Sequence, residues 1–391
     1  THIMEYLILI IPVIAAIILA VKFREQTVWW EYGLLLIPSI IIVFTLKFSF
    51  EAYETSTKEY LSYYYVKARH TDEWNEWIHK TCTRRVPNGR DSKGNTTYRT
   101  ETYDCSYCQT HPERWILIDN TGNEIYTNKT TFDRVRTKWK APMIFVDMNR
   151  HYYTKDGDAQ DYYWDKQEMT AETYTVAKSY SNKIRASRSV FNFKEISKNE
   201  AKELGLYDYP EIINDHQNPL IGYKNPRSID INRLRYINAF YGKTKQFRTF
   251  VIVFYDKPAS IAEMQRSYWF GGNKNEFVTC VGINSQTNEV DWVNVFNWLE
   301  TPKMNVECEY YFSGKKYFDP CEYADWIHNN INQWQRREFK DFDYLEVELS
   351  DTQYMWMFII TLIYSIGISI FIVMNNARND EKNYKRNRYR Y

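Results

Sequence analysis

The chain has 391 residues and carries 50 Lys and Arg against 49 Asp and Glu, a formal net charge of +1. That balance gives no sign of a nucleic-acid partner or of an acidic polymer as ligand. Mean hydropathy is −0.59, as in a water-soluble polypeptide, yet the long aliphatic runs are confined to the first 50 residues and the last 40.

The first run is Met4–Val21, with Glu5 at its outer end. The second, Trp29–Phe50, is charged only at its edges, by Glu31 and Lys47, and Trp29, Trp30, Phe48 and Phe50 flank it. The third, Tyr354–Met374, carries no charge. Each is roughly 20 residues, the length that crosses a hydrocarbon core of about 30 Å as a helix. Edge Trp and Tyr suit the interfacial belt. A cleaved signal peptide accounts for the first run but not for the second, and buried helices of a soluble core are the bland alternative. Pro12 and Pro38, inside the first two runs, are better tolerated in lipid. Met4 reads as a natural start, with Thr1–Ile3 as extra residues.

Basic residues set the orientation. Lys22 and Arg24 lie in the link between the first two runs; Arg378, Lys382, Lys385, Arg386, Arg388 and Arg390 follow the third. Glu346, Glu348 and Asp351 precede the third. Three spans put the link and the tail on the same, cytoplasmic side. The expectation is an α+β membrane protein with three transmembrane helices and a large mixed α/β extracytoplasmic domain whose first half is β-rich. Its parts are a helical hairpin (1–50), a β-rich, Cys-containing region (51–185), an α/β region (186–350), a third span (351–375) and a flexible basic tail (376–391). The expected location is the inner, cytoplasmic membrane, with the lipid bilayer as partner.

The middle of the chain draws its core from aromatics: the whole sequence has 34 Tyr and 13 Trp, which bring apolar area together with a polar handle. In the β-rich half, EYLSYYYVKAR, RWILIDN and APMIFVD read as strands, and Asn88-Gly89, Lys93-Gly94-Asn95, Asn120-Thr121-Gly122 and Asp156-Gly157-Asp158 as turns. In the α/β half, Ser197 with Glu200 and Ser260 with Glu263 form capping boxes, and a helix carrying Leu234, Ile237 and Phe240 ends at Gly242. Strands follow at 248–255, 275–283 and 289–298. Tyr323, Trp326, Ile327, Ile331 and Trp334 share one helical face. This order is a β-α-β-β-α unit.

All six cysteines lie between the second and third apolar runs, which favours disulfides in an oxidising compartment; Cys308 and Cys321 bracket a short loop and can pair. The alternative is zinc. His79 precedes Cys82, and Cys105, Cys108 and His111 follow at short spacing, so Cys82, Cys105, Cys108 and His111 are a candidate tetrahedral set. Asp156, Asp158 and Asp161 cluster as calcium ligands do but miss the EF-hand spacing, so a solvated turn is the plainer reading. Phosphate-loop, nucleophile-elbow and HExxH motifs are missing. The most distinctive segment, Tyr268–Glu276, joins a helix end to a strand across Gly271 and Gly272. It is either a stop turn anchored by Trp269 or a loop presenting Asn273, Asn275 and Glu276 to a ligand.

SYWFGGNKNEFVTCVGI and VDWVNVFNW, with FREQTVWWEYG, WNEWIHKTC, YDCSYCQTHPERW and DFDYL, resemble a family of uncharacterised membrane proteins encoded by large tailed bacteriophages. The likeness covers most of the chain and brings no activity with it. Residues 245–300 also resemble the TPM domain, an exported and often membrane-tethered module found in phosphatases and in complex-assembly factors. The leading expectation is a non-enzymatic binding or assembly protein with envelope or phage proteins, or further copies of itself, as partners, and with no cofactor unless zinc is bound. A phosphatase-like exported hydrolase and an oligomeric pore are the competing readings; no span carries an interior charge that marks an ion path.

Overall fold

The computed structural model of the chain describes residues 2–24, 27–148, 152–187 and 193–388. In chain order the elements begin with α1 (His2–Lys22), α2 (Trp29–Thr55), β1 (Ser56–Thr71), β2 (Trp74–Ile78), β3 (Thr81–Arg90), β4 (Thr96–Asp104) and β5 (Tyr107–His111). β6 (Arg114–Asp119), β7 (Glu124–Thr127), α3 (Lys129–Arg136), β8 (Ile144–Val146), β9 (Tyr152–Asp156), β10 (Ala159–Tyr163), β11 (Thr173–Ser181) and α4 (Lys183–Ala186) follow. The rest are α5 (Lys198–Leu204), β12 (Leu220–Ile221), α6 (Ser228–Thr244), β13 (Arg248–Tyr255), α7 (Ser260–Tyr268), β14 (Glu276–Ile283), β15 (Val290–Asn297), α8 (Lys303–Ser313), α9 (Pro320–Asn330) and α10 (Asp351–Arg388). The protein is thus mixed α+β, and it divides into two units.

One unit holds 1–59, 179–195 and 337–391. Ile8, Val43, Tyr354 and Met357 bury one contact among α1, α2 and α10; Leu19, Leu35 and Ile372 bury another. Polar ties join the helices: Asn376 Nδ2 donates to both Glu31 oxygens at 2.9 and 3.0 Å, and Tyr364 Oη to the Leu34 carbonyl at 2.8 Å. By length and composition α2 and α10 are long and apolar enough to cross a membrane; α1 offers a shorter apolar stretch, Tyr6–Lys22. α10 does not stop at Met374. The tail, expected to be flexible, continues the helix to Arg388, because Glu, Lys and Arg are good helix formers and no Gly or Pro intervenes. Arg390 lies outside the described residues.

The other unit holds 60–178 and 196–336. Its β-rich half is a six-stranded sheet in the order β7-β6-β1-β10-β8, with β11 also on β1. Tyr65, Ala68, Leu117, Phe132, Val135 and Trp139 fill its core. Its α/β half is a four-stranded sheet, β12-β13-β14-β15, parallel through β14 and antiparallel at β15. The runs RTFVIVFY and EFVTCVGI are buried almost from end to end and mostly apolar because both faces are covered. Val251, Val253, Phe277 and Val281 meet α6, α8 and α9; Phe250, Ile252, Val278 and Cys280 meet α5 and α7. The buried Tyr323 hydroxyl is satisfied by Thr249 Oγ1 at 2.7 Å and Thr279 Oγ1 at 2.8 Å.

Three local expectations change. α6 runs past Gly242 to Thr244; the glycine is there because a Cβ would stand 2.3 Å from the Ser62 carbonyl oxygen of β1. Ser260 is the first residue of α7 and not its cap, and Ala259 occupies the capping position without a side-chain bond. Asn88 and Gly89 sit within β3, where the register with β4 shifts between Pro87 and Arg90; the turn itself is Asp91–Asn95. At Ser197 the capping expectation holds: its Oγ accepts from Glu200 N at 3.2 Å, and Gly205 ends the helix at φ 78°.

Candidate functional site

Phe270, Gly271 and Gly272 all adopt positive φ (51°, 79° and 78°) and reverse the chain between α7 and β14. The buried Trp269 anchors the reversal by donating from Nε1 to the Tyr207 carbonyl at 2.8 Å. Three donors then converge on the Glu276 carboxylate: Asn273 N and Asn273 Nδ2, each at 2.8 Å, and the Tyr209 hydroxyl. Asn275 Nδ2 donates to the Tyr60 carbonyl at 2.8 Å. Asn273, Asn275 and Glu276 are therefore brought together but turned inward; Asn275 and Glu276 have no exposed surface and Asn273 has 8%.

Arg248 completes this network. It opens β13 opposite Glu276, which opens β14, and its Nη1 donates to Ser62 Oγ at 2.9 Å. Burial pushes the Glu276 carboxyl up, against the pull of its three donors and of Arg248; burial also lowers the Arg248 guanidinium. Tyr209, stacked 5.4 Å from Tyr60, is raised well above its ordinary value by burial and by Glu276. Sequence reasoning missed Arg248, Tyr209, Tyr60 and Ser62. The available signal was that two apolar strands each open on a charge, of opposite sign. Sealed from water, this constellation clamps the two halves of the unit together.

A very different arrangement lies at the surface. β2 pairs with β5 and β3 with β4 in one register as far as Pro87: Trp74 faces His111, Trp77 faces Cys108, Thr81 faces Asp104, and Pro87 faces Tyr98. Between the two pairs, Cys105 N donates to the Lys80 carbonyl at 2.9 Å and keeps the count. The four strands form one antiparallel ribbon, roughly 45 Å long at about 3.3 Å per residue; its base is three-stranded, because β9 pairs with the other edge of β2, and the β3–β4 part stands out as two strands. From Thr81 to Asp104 every residue is exposed except Cys82, Val86 and Glu101, which are half-buried. A two-stranded ribbon is marginal alone, and this one is tied across its middle by a Cys82–Cys105 disulfide with Cα atoms 5.8 Å apart.

Alternation along the ribbon decides the fate of the zinc set. Cys82, Cys105 and His111 lie on one face and Cys108, three residues from Cys105, on the other. Two of the four are already joined to each other, and disulfide sulfurs are not thiolate ligands. His111 instead stacks on Trp74 at 4.1 Å, with its Nε2 2.8 Å from Glu76. Cys108 is a free, exposed thiol. The ribbon does not gather these residues around one metal.

The Cys308–Cys321 pairing is not formed. Cys308 is buried on α8 beneath the sheet, whereas Cys321, at the start of α9, donates to Asp230 Oδ1 at 3.5 Å. In the Asp-rich turn, Asp161 is bound by Lys67 at 2.7 Å and by Arg69 at 2.7 and 2.8 Å, and Asp158 accepts from Met148 N. The Asp156 side chain lies outside the described residues. Asp161 is neutralised by its own cations and is not available to a calcium ion. Comparison of the chain with protein-family models, with curated proteins and with solved structures found no match.

Proposed function

We propose that this is a membrane-anchored binding or assembly protein, held in the cytoplasmic membrane by three helices, whose β ribbon grips the acidic surface of a partner protein outside the cytoplasm. The observation that carries this reading is the ribbon, a long element exposed on both faces. Between residues 84 and 99 it carries Arg84, Arg85, Arg90, Lys93 and Arg99 against Asp91 alone. Among the described residues the side chains of Arg85, Arg90 and Lys93 have no acidic partner, and Arg84 and Arg99 share Glu101 at 3.5 and 2.6 Å. Tyr98 is 62% exposed and Tyr103 44%. Tyr and Arg are the side chains that dominate interface energetics. The near-zero net charge of the whole chain conceals this local excess.

Three features support the anchor and its direction. Ile14, Ile17, Ile41, Ile363 and Phe371 point outward from the apolar helices with about half or more of their surface exposed, which suits lipid. A disulfide suits an oxidising compartment. The basic residues after the third run match those in the link between the first two. We read the likeness to phage-encoded membrane proteins in the same light, as a protein that alters a host envelope, excludes a second infection or scaffolds an assembly. A hydrolase centred on Asn275 and Glu276 is not adopted, because both are enclosed.

A photo-crosslinking residue in place of Tyr98, in membranes of cells that produce the protein with its natural partners, tests the reading. A discrete adduct that disappears when Arg84, Arg85 and Arg90 are changed to Glu is expected. An adduct indifferent to that charge reversal, or no adduct, contradicts it.

A further inference from the structure

His70, near the end of β1, lies opposite Trp115 of β6. Its ring stacks on Trp115 with centroids 5.7 Å apart and planes 17° off parallel, and Phe132 lies 6.3 Å away. Sheet register and aromatic packing fix the imidazole, and two carboxylates converge on its outward nitrogen: Glu113 Oε1 at 2.6 Å and Asp72 Oδ1 at 3.7 Å from Nε2. Asp72 is held in turn by its backbone N–H, which donates to the Asp158 carbonyl at 3.1 Å. Ligand atoms from all three residues lie within 4.8 Å of one another.

Charge makes this cluster unusual within the molecule. Among the described residues no Lys or Arg pairs with Asp72 or Glu113, so two carboxylates share one imidazole. Other acids near a potential ligand set have their own cation: Asp230, grouped with Asp319 and Cys321, is held by Arg227 at 2.7 Å, and Asp161 by Lys67 and Arg69. Two ligands on one ion at about 2.0–2.2 Å stand roughly 3–3.5 Å apart. The 2.6 and 3.7 Å separations bracket that spacing, and Glu113, 46% exposed, can move to meet it.

We propose that His70, Asp72 and Glu113 form a divalent-cation site. One nitrogen and two carboxylate donors suit Zn²⁺ or Mn²⁺, and three protein ligands leave coordination positions open to water or to a partner's carboxylate.

The test uses the full chain in detergent, stripped with EDTA and titrated with Mn²⁺ followed by electron paramagnetic resonance. Manganese avoids the free thiols. About one bound Mn²⁺ per chain is expected, displaced by Zn²⁺ as the usual affinity order requires. His70→Gln and Glu113→Gln should each weaken binding by about tenfold or more, and Asp319→Asn should leave it unchanged. Bound metal should also raise the melting temperature of the wild type and not that of Glu113→Gln. No saturable binding of either ion, or binding unaltered by both His70→Gln and Glu113→Gln, overturns the proposal.

Discussion

Arg248 and Glu276 face each other across the first rung of the parallel pair β13–β14, 2% and 0% exposed. Two opposite charges sealed at the head of a sheet are costly to bury and costlier to separate. Arg248 also reaches Ser62 of β1, so the rung belongs to both halves of its unit.

Truncating either charge removes its opposite-sign neighbour and leaves only neutral partners, Ser62 for Arg248 and Asn273 with Tyr209 for Glu276. Arg248→Ala is predicted to destabilise by about 3–5 kcal/mol, read as a lower urea midpoint with an unchanged slope. Replacing both, Arg248→Met with Glu276→Gln, should cost less than the sum of the single changes because the two sites are coupled. Additive losses would show that the two charges do not interact.

Glu172 supplies an acid limb to stability. Burial by itself raises its carboxyl, but hydrogen bonds and charges from His216 and Lys138 overcome that and hold it at about 2, against an ordinary 4.5. A depressed carboxyl stabilises fully above its unfolded value and loses that contribution as pH falls from about 4.5 through about 2. The contribution is on the order of 3 kcal/mol. Glu172→Gln should lower stability at pH 7 and flatten its fall between pH 5 and 3. An equally steep fall in the variant contradicts the assignment.

The ribbon depends on its disulfide. A bond closing a loop of this size, 23 residues apart in sequence, is worth about 3 kcal/mol in the chain-entropy account. Cys82→Ser with Cys105→Ser should abolish hydrogen-exchange protection from Thr81 to Asp104 and leave β13 and β14 protected. Loss of protection throughout would mean that the ribbon supports the core.

Gly242 is predicted to resist even the smallest side chain. A Cβ there meets backbone, the Ser62 carbonyl oxygen at 2.3 Å, which cannot swing aside as a side chain can. Gly242→Ala should cost about 1–3 kcal/mol by overpacking, although alanine favours helix by about 1 kcal/mol. A stabilised variant would contradict the close approach of α6 to β1.

How much of this was legible follows from the range of the forces involved. Strands β13 and β14, the Ser197-capped helix and the left-handed glycines after Trp269 are written in local pattern, and each was read from it. Gly242 was misread as a stop because its role comes from a strand far away in the chain. The Cys105–Cys108 spacing suggested a metal knuckle; in an extended ribbon the same spacing sends the two side chains to opposite faces. Asn273, Asn275 and Glu276 stood out as polar residues near a turn, but their inward direction depends on Tyr209, Tyr60 and Arg248. The helix Lys303–Ser313 was not read, although Met304, Cys308 and Phe312, which pack under the sheet, recur every four residues.

The central claim is a membrane anchor with the ribbon outside the cytoplasm, and Cys108 is its natural reporter, since it is exposed and free; Cys280 and Cys308 are buried, and the half-buried Cys321 is replaced by Ser throughout. Intact spheroplasts should be treated with a membrane-impermeant maleimide, in the Cys321→Ser background, in that background with Cys108→Ser, and in the latter carrying Asn387→Cys in the basic tail. The account predicts labelling at Cys108 without permeabilisation and at position 387 only after it. Labelling of Cys108 only after lysis, or of position 387 in intact cells, would contradict it.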